Sequence, residues 1–241
     1  MQELFDNYYK ESFSQSKSQK LDLKSFELAA RKFRWNYRRF FRDIPKNAKI
    51  LDFGCGLGQF LFYLHGEGFT NLTGIDISAS QVELARQMQP ELDIRHVGDS
   101  MEFLQERSEK YDVIVMNDVL EHIPHSLLIE TMKTIYSAIT VNGIVIIKTI
   151  NAAYPLSNAS RYLDLTHTIS FHEKSLTQLL RHSGFTDIHC FQEEIGIYNI
   201  LFMMKKAIVI SVRLFLKLLI YFSESDWQNI ISVNLITKAS K

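Results

Sequence analysis

The glycine-spaced segment Lys49–Gln59 constrains the fold of this chain more than any other stretch of its sequence. A short apolar run ends in Asp52, and glycines then stand at every second position, at Gly54, Gly56 and Gly58. An apolar pattern with helical spacing follows directly. Strand, glycine turn and helix in this order predict the first unit of an α/β nucleotide-binding fold, in which the free N–H groups at the helix start attract an anionic ligand group.

The rest of the chain continues this alternation of strand and helix patterns, which predicts a doubly wound, mostly parallel sheet of the α/β class. Around it we expect an N-terminal helical cap at residues 1–48, a core at 49–195, a helical insertion at 196–229 and a last core strand at 230–241. The predicted core strands are 72–76, 94–97, 111–117, 144–149 and 187–192, followed by Ser232–Ala239. The predicted core helices are 78–89, 101–105, 125–140 and 173–183. Ser78 is the predicted N-cap of the first of these helices, and Asn142 and Gly143 are the predicted stop of the third.

The residues around the glycine loop indicate which kind of ligand it holds. Gly58 stands one residue earlier than the third glycine of a dinucleotide-binding fingerprint. Asp52, directly before the loop, would repel a pyrophosphate and suits a positively charged ligand group, such as an amine or a sulfonium. The second strand ends in Asp76, at about the distance where an acid typically accepts the hydroxyls of a ribose.

Four motifs in order resemble those of class I S-adenosylmethionine-dependent methyltransferases: Leu51–Gln59, Gly74–Ser78, Gly98–Asp99 and Asn117–Ile123. The resemblance covers roughly residues 45 to 190. It implies a Rossmann-like fold whose final strand is antiparallel, and S-adenosyl-L-methionine as the cofactor. The residues that match the family's cofactor-binding positions are Asp52, Gly54, Gly56, Gly58, Asp76, Ile77, Asp99, Ser100 and Asn117.

Two segments supply candidates for acid-base chemistry at an acceptor hydroxyl, which needs a base within hydrogen-bond reach. Glu121 and His122 resemble the Leu-Glu-His segment of O-methyltransferases, and it stays open whether His122 acts on the acceptor or holds its loop. His167 follows Asp164 in a loop after the fifth strand, and pairing of these two side chains would raise the basicity of the imidazole. Together with Asp118 these groups would be able to converge on a metal, but their spacing does not require one, and no metal is predicted.

The segment after the fourth strand also excludes some reactions. It lacks the Pro-Pro-Tyr or Pro-Pro-Phe pattern of nucleobase amino methylation and the Pro-Cys of cytosine methylation. The pattern Asp-x-Thr-His at 164–167, followed by a helix capped at His172, resembles bacterial methyltransferases of surface polysaccharides. This resemblance implies an O-methyltransferase that acts on a sugar hydroxyl of a surface glycan or its precursor. Two alternatives stay open: an O-methyltransferase of a lipid-soluble phenol, as in quinone biosynthesis, and a non-catalytic partner subunit with a methyltransferase fold.

Charge and cysteine content narrow the setting further. The 27 basic and 27 acidic residues balance, which argues against general nucleic-acid binding. The two cysteines, Cys55 and Cys190, do not form a disulfide framework and fit a reducing compartment. Because the N-terminal residues lack the apolar core of a signal peptide, we expect a cytoplasmic protein.

Two helical patterns outside the core carry clustered cations. The pattern Leu23–Phe41 predicts a helix rich in arginine and lysine, either a cap with a solvated basic face or a lid near an anionic acceptor or lipid. In the insertion, Lys205, Lys206, Arg213 and Lys217 fall on one side of a helical wheel, opposite large apolar residues. This pattern predicts a basic amphipathic helix. It leaves open peripheral association with an anionic membrane at its inner face, packing on its own domain, or contact with a second subunit in a homodimer.

Overall fold

The computed structural model describes residues 22–224, apart from residues 107 and 109, and residues 230–241. Residues 1–21 of the predicted cap and residues 225–229 of the insertion lie outside the described residues. The strands are β1 Lys49–Phe53, β2 Asn71–Asp76, β3 Asp93–His96, β4 Tyr111–Asn117, β5 Ile139–Ile150, β6 Thr186–Gln192 and β7 Asn234–Ser240. The helices are α1 Leu23–Phe41, α2 Gln59–Gly66, α3 Ala79–Met88, α4 Ser100–Gln105, α5 Leu128–Ala138, α6 Ser157–Arg161, α7 Glu173–His182 and α8 Ile200–Glu224, with 3-10 turns at Leu120–His122 and His125–Leu127.

The strands form one seven-stranded sheet in the order β3-β2-β1-β4-β5-β7-β6. The pairs β1–β2, β1–β4, β2–β3 and β4–β5 are parallel, whereas β7 runs antiparallel to β5 and to β6. The predicted α/β fold with a final antiparallel strand is therefore confirmed. Because parallel strands end at the same side of a sheet, the last residues of β1 to β6 lie along one side, which we call the carboxyl edge. Strand β7 begins at this edge.

Central strand β4 shows why the sheet is covered on both faces. Its side chains alternate between two hydrophobic clusters, because successive residues of a strand point to opposite faces. Ile114 and Met116 belong to one cluster, and Val113 and Val115 belong to the other. All four are buried, as expected for a strand in the middle of a doubly wound α/β sheet.

The predicted N-terminal helix is confirmed as α1, and its apolar side chains join the hydrophobic core. It begins at a capping box in which the Asp22 side chain accepts from the backbone N–H of Ser25. Its apolar face packs on α2, where the ring of Phe33 meets Phe60 edge-on at 4.9 Å between centroids. Buried Tyr37 joins the same cluster, and this contact holds α1 over the start of the sheet.

The predicted boundary between the helix at 125–140 and the strand at 144–149 is wrong. The helix predicted for 125–140 ends at Ala138, and β5 begins at Ile139, because the β-branched residues that follow favour extended structure. Asn142 and Gly143 do not stop a helix; they lie within β5, where Asn142 has a φ of 67° and the register with β4 shifts. Ser78 stands at the N-cap of α3, but its side chain makes no capping hydrogen bond.

The insertion contains the predicted long helix, α8, but its two faces are placed differently from the expectation. Lys206 and Arg213 point toward their own domain, with side-chain nitrogens 3.5 and 3.6 Å from the carboxylate of Glu194. The large apolar side chains lie on the opposite, exposed side. These two cations are therefore engaged by an acid that follows β6, and contact of the basic side with an anionic membrane stays a prediction.

Candidate cofactor and acceptor site

The glycine loop is packed tightly against the carboxyl edge. The Gly54 N–H donates to the Ile75 carbonyl at 2.8 Å, which ties the loop to the end of β2. A Cβ atom at Gly54 would lie 2.5 Å from Cγ2 of Val119, so only glycine fits there. Gly56 has a φ of 51°, which L side chains rarely adopt, and Gly58 is the N-cap of α2. The loop therefore presents bare backbone at the predicted cofactor position.

Asp76 closes the loop from the neighbouring strand. Its two carboxylate oxygens accept from the backbone N–H groups of Gly56 and Ser78, each at 2.8 Å. Burial raises the pKa of Asp76, and these two hydrogen bonds oppose that shift. Ile77, between Asp76 and Ser78 in the sequence, is half-buried. Both carboxylate oxygens of Asp76 thus hold the loop, and its contact with the ribose stays a prediction.

Asp52, at the end of β1, has an unsatisfied acceptor. The side chain is only 1% exposed, and Oδ1 has no hydrogen-bond partner among the described residues. Burial, with the charge of Asp76 as a second cause, raises the pKa of Asp52 to about 8. Because a buried polar atom without a partner costs free energy, a buried acceptor of this kind points to a ligand that supplies a donor.

Asn117 offers the complementary group on the adjacent strand β4. Its Oδ1 accepts from the hydroxyl of Tyr37, while Nδ2 is buried with no partner in the described ranges. Asp52 pairs in register with Val115, two residues before Asn117, so the two side chains stand on neighbouring strand ends. An acceptor and a donor match the ammonium and carboxylate of an amino acid. These residues, with the glycine loop, fit the amino-acid end of S-adenosylmethionine.

Asp99 and Ser100 follow β3 at the same edge and begin α4. Oδ1 of Asp99 accepts from the backbone N–H groups of Met101 at 2.6 Å and Glu102 at 3.2 Å, so this side chain caps the helix. Asp99 is exposed and Ser100 is half-buried. Contact of this pair with the adenine amino group stays a prediction, and it would use the second oxygen of Asp99.

The structure brings His122 and His167 together over the end of β4, with ring centroids 4.7 Å apart. Nδ1 of His122 lies 2.7 Å from Oγ1 of Thr166, whose hydroxyl donates to Oδ1 of Asp164 at 2.6 Å. The Thr166 proton is thereby committed, so Nδ1 of His122 is the donor. Burial, then the neighbouring His167, lowers the pKa of His122 to about 4, and the ring is neutral at physiological pH.

His167 is held in the tautomer that a general base requires. Its Nδ1 lies 3.0 Å from the Ser160 carbonyl, which can only accept, so Nδ1 is the donor and Nε2 is the basic nitrogen of the neutral imidazole. The Arg161 guanidinium donates to the carbonyls of His167 and Thr168, which fixes the loop. Asp164 is linked to His122 through the Thr166 hydroxyl, and its expected pairing with His167 stays a prediction.

Glu121, the third predicted catalytic residue, is only 1% exposed. Its Oε2 accepts from the Thr149 hydroxyl at 2.9 Å, and its backbone carbonyl accepts from the Thr168 N–H at 2.7 Å. Burial, followed by the charge of Asp118, raises its pKa to about 8. These contacts join the loops after β4 and β5, so the burial of Glu121 favours a positioning role over contact with an acceptor.

Two further residues of the edge escaped the sequence analysis. The Lys148 ammonium, near the end of β5, lies 2.6 Å from the Asp118 carboxylate. Burial lowers the pKa of Lys148, but the charges of Asp118 and then Glu193 outweigh burial, so the pKa is raised. Asp118 itself has a φ of 55°. A lone lysine in an apolar strand was the available signal for Lys148. Tyr37 lies 80 residues before Asn117, and nothing in the sequence pairs the two.

No group of three or more histidine, cysteine or acidic side chains in the described ranges is arranged to hold a metal ion. Two clefts of about 660 Å³ each lie elsewhere, one between α7 and β6 and one between α4 and α5. Neither cleft is lined by the residues of the carboxyl edge described above. Buried polar atoms and backbone geometry, rather than a large cleft, therefore define the candidate site.

Known proteins resemble this chain over the same region. The family model of the methyltransferase domain matches residues 26–190. The ubiquinone biosynthesis O-methyltransferase of Histophilus somni (strain 2336) is 32% identical over 114 residues, which cover 44% of this chain and 46% of that protein. The tRNA U34 carboxymethyltransferase of Pseudomonas aeruginosa is 25% identical over 165 residues, which cover 65% of this chain and 51% of that protein. The chain spans about half the length of these two curated relatives.

A solved structure shows the same fold. The crystal structure of a SAM dependent methyltransferase from Archaeoglobus fulgidus matches with a TM-score of 0.66 at 20% identity, and the match covers 90% of this chain and 95% of that chain. The family match spans the glycine loop, the acids at the strand ends and the two loops that hold His122 and His167. With this match and this fold, the chain belongs to the methyltransferase domain family of S-adenosylmethionine-dependent methyltransferases.

Proposed function

We propose that this chain methylates a hydroxyl group, and that the acceptor is a sugar of a surface glycan or of its precursor. The observation that carries the proposal is the hydrogen bond from Nδ1 of His167 to the Ser160 carbonyl, which makes Nε2 the basic nitrogen of the neutral ring. A neutral imidazole in this form can take a proton from a hydroxyl. Oxygen acceptors need such a base more than amines do, because a neutral hydroxyl is a weak nucleophile.

The chain's own residues would hold S-adenosylmethionine from both ends. Asp52 accepts from its ammonium, Asn117 donates to its carboxylate, and Asp76 accepts from the ribose hydroxyls. Asp99 and Ser100 recognise the adenine amino group. Bound in this way, the cofactor supplies a methyl group on a positively charged sulfur, which is already activated for transfer. The protein's main task is then to orient the acceptor.

The acceptor would be held by the polar groups that surround His167. The exposed carboxylate of Asp118 is fixed by Lys148 at 2.6 Å, and Asp164 is fixed by Thr166. Charged groups of this kind offer hydrogen bonds to the several hydroxyls of a sugar. The ring of His122 packs against the ring of His167, with centroids 4.7 Å apart. The lowered pKa of His122 keeps this ring neutral near pH 7.

A lipid-soluble phenol is the second candidate acceptor. The similarity to a ubiquinone biosynthesis O-methyltransferase supports it. So does the composition of the loop that carries His167, where Leu163 is 86% and Leu165 is 88% exposed. Apolar side chains that far in water suit an apolar acceptor better than a free sugar. The catalytic role of His167 is the same for both acceptors.

A non-catalytic partner subunit is a third hypothesis, and the buried acceptor on Asp52 weighs against it. A protein that binds no cofactor gains nothing from a carboxyl group that is 1% exposed and lacks a partner for Oδ1 within the described part. Titration calorimetry with S-adenosylmethionine separates this hypothesis from the others. An empty fold would give no binding heat, whereas a binding module would bind the cofactor without turnover.

The acceptor is tested by turnover. The purified protein is incubated with S-adenosylmethionine and either nucleotide sugars or catechols, and formation of S-adenosylhomocysteine and of methylated product is measured. The proposal expects methylation of a sugar hydroxyl, which His167→Gln abolishes and the matched change His189→Gln on exposed β6 does not. Methylation of catechols alone would favour the phenol, and methylation of an amine acceptor would contradict hydroxyl chemistry.

A further inference from the structure

We propose that α8 docks the protein on an anionic lipid bilayer through its exposed apolar side. This side, the outer face, points away from the domain over the length of the helix. The helix has 25 residues and is therefore about 37 Å long. The outer face comprises Leu201, Met204, Ile208, Phe215, Leu219 and Phe222.

The outer face is apolar and solvent-exposed. Its six side chains are between 54% and 80% exposed, and no described side chain of α8 is buried. Water-soluble proteins rarely leave an apolar surface of this length uncovered, because each large side chain gains free energy when it leaves water. We therefore expect the outer face to be covered, either by the apolar interior of a membrane or by a partner protein.

Two of the four cations on the polar side of α8, Lys206 and Arg213, are engaged by groups of their own domain. Lys206 and Arg213 approach the Glu194 carboxylate at 3.5 and 3.6 Å, and the Lys206 ammonium lies 5.1 Å from the ring of Trp35. Arg213 also donates to the Glu193 carbonyl at 3.0 Å. A helix that only covers its own domain would place these groups outward and its leucines inward. The observed orientation is the reverse, so it presents the apolar side to something outside the domain.

The topology places the two ends of α8 at the edge of the sheet where the proposed acceptor site lies. Helix α8 connects the end of β6 to the start of β7, and both lie at the carboxyl edge. The loop that carries His167 leaves the end of β5 at the same edge, and Tyr162, Leu163 and Leu165 in that loop are at least 75% exposed. Two apolar surfaces therefore leave the side of the sheet where the acceptor would enter.

Charge next to α8 favours an anionic bilayer over a second copy of this chain. Arg31 and Lys32 of α1 are exposed, and Trp35 beside them is 42% exposed and contacts α8. The charge of Arg31 also opposes the rise that burial causes in the pKa of Tyr198, just before the helix. A two-fold contact would bring these cations face to face, whereas anionic headgroups attract them.

The expected mode is a helix lying flat in the interface, with its apolar side among the acyl chains and the α1 cations at the headgroups. No helix within the described ranges is both long enough and apolar enough to cross a membrane. This inference goes beyond the proposed function and does not depend on it, because docking is measured without cofactor or acceptor. A negative result for membrane docking would not contradict the proposed methylation, and a negative result for methylation would not contradict docking.

The test is co-sedimentation of the full chain with vesicles made of equal parts phosphatidylcholine and phosphatidylglycerol, or of phosphatidylcholine alone. The wild-type protein is expected to pellet with the anionic vesicles. The triple variant Ile208→Gln, Phe215→Gln, Phe222→Gln is expected to lower the partition coefficient more than ~100-fold, since each side chain loses apolar burial. The matched triple variant Leu127→Gln, Ile129→Gln, Val141→Gln, which changes exposed apolar residues elsewhere, is expected to bind as the wild type does.

A second pair of variants tests the charge. Arg31→Gln with Lys32→Gln is expected to reduce the preference for anionic over neutral vesicles by about tenfold or more, because each cation near an anionic surface contributes roughly 1 kcal/mol. Circular dichroism and S-adenosylmethionine affinity establish that every variant is folded. The proposal is overturned if the wild type stays in the supernatant with both vesicle types, or if the α8 triple variant still pellets. A wild-type dimer in light scattering that the α8 variant converts to monomer, without vesicle binding, identifies a second copy as the occupant instead.

Discussion

Asp52 and Asp76 end two neighbouring parallel strands, and the charge of Asp76 adds to burial in raising the pKa of Asp52 to about 8. The free protein therefore holds a proton on Asp52 at neutral pH. A ligand that brings an ammonium or sulfonium to Asp52 stabilises the carboxylate and lowers this pKa. Cofactor binding and proton release are thus expected to be coupled at this residue.

The first prediction is that S-adenosylmethionine binding at pH 7 releases a proton. Because Asp52 is ionised more fully above its pKa, affinity should rise with pH up to about 8 and level off above it. Titration calorimetry in buffers with different ionisation enthalpies measures the proton directly. Asp52→Asn should abolish the buffer dependence, and a wild-type binding heat that is the same in all buffers would contradict the prediction.

The second prediction concerns the ribose contact at Asp76. Replacing Asp76 with Ala should weaken S-adenosylmethionine binding by roughly 1.5–3 kcal/mol, the range for hydrogen bonds to a charged group. Part of the loss would come from the Gly56 N–H, which Asp76 accepts at 2.8 Å. Asp93→Ala, at the opposite end of the adjacent strand, is the control. Calorimetric affinity equal to that of the wild type would remove Asp76 from the site.

The third prediction assigns the base. His167→Ala should lower kcat by ~100- to 10,000-fold and leave cofactor affinity unchanged, because a positioned base acts only on the acceptor. Exposed His125→Ala serves as the control. Steady-state kinetics and calorimetry on the same preparations separate the two effects. If His122→Ala is the more damaging change, the base lies in the loop after β4, and if both variants stay active, transfer depends on positioning alone.

The fourth prediction uses the buried carboxyl of Glu121, whose pKa rises from an ordinary value of 4.5 to about 8. Between these two pH values the folded protein binds more protons than the unfolded chain, so the free energy of unfolding should fall as pH rises. Glu121→Gln should flatten this dependence, and exposed Glu130→Gln should not. Urea denaturation at both ends of this pH range measures it. A slope that the Glu121 variant does not change would place the titrating group elsewhere.

The fifth prediction tests the loop backbone. Gly56→Val should abolish cofactor binding, because φ is 51° and a Cβ atom would meet Oε1 of Gln81 at 2.9 Å. Gly66→Ala is the matched control, since its Cβ would contact nothing within 4 Å. Thermal melts establish that both variants fold, and calorimetry measures binding. A Gly56 variant that binds normally would show that the cofactor does not approach this backbone.

The order of the elements could be predicted from the sequence because it depends on local patterns. The glycine spacing at 54–58 and the apolar runs before and after it specify strand, turn and helix within a few residues. Strand β4 was predicted with its observed bounds, since a run of β-branched and apolar residues is unambiguous there. The end of α5 was misplaced because Ile139 and Thr140 fit a helix or a strand, and pairing of Ile139 with β4 decided between them.

The partners of side chains were decided only by the tertiary structure. A helical wheel separates the two faces of α8 but does not say which one meets the domain. Glu194, which follows the preceding strand β6, engages two of the cations there. Asp164 reaches His122 through Thr166 because loops after two different strands meet over the sheet. Spacing along a chain fixes periodicity, whereas such contacts depend on how elements far apart in sequence come to lie side by side.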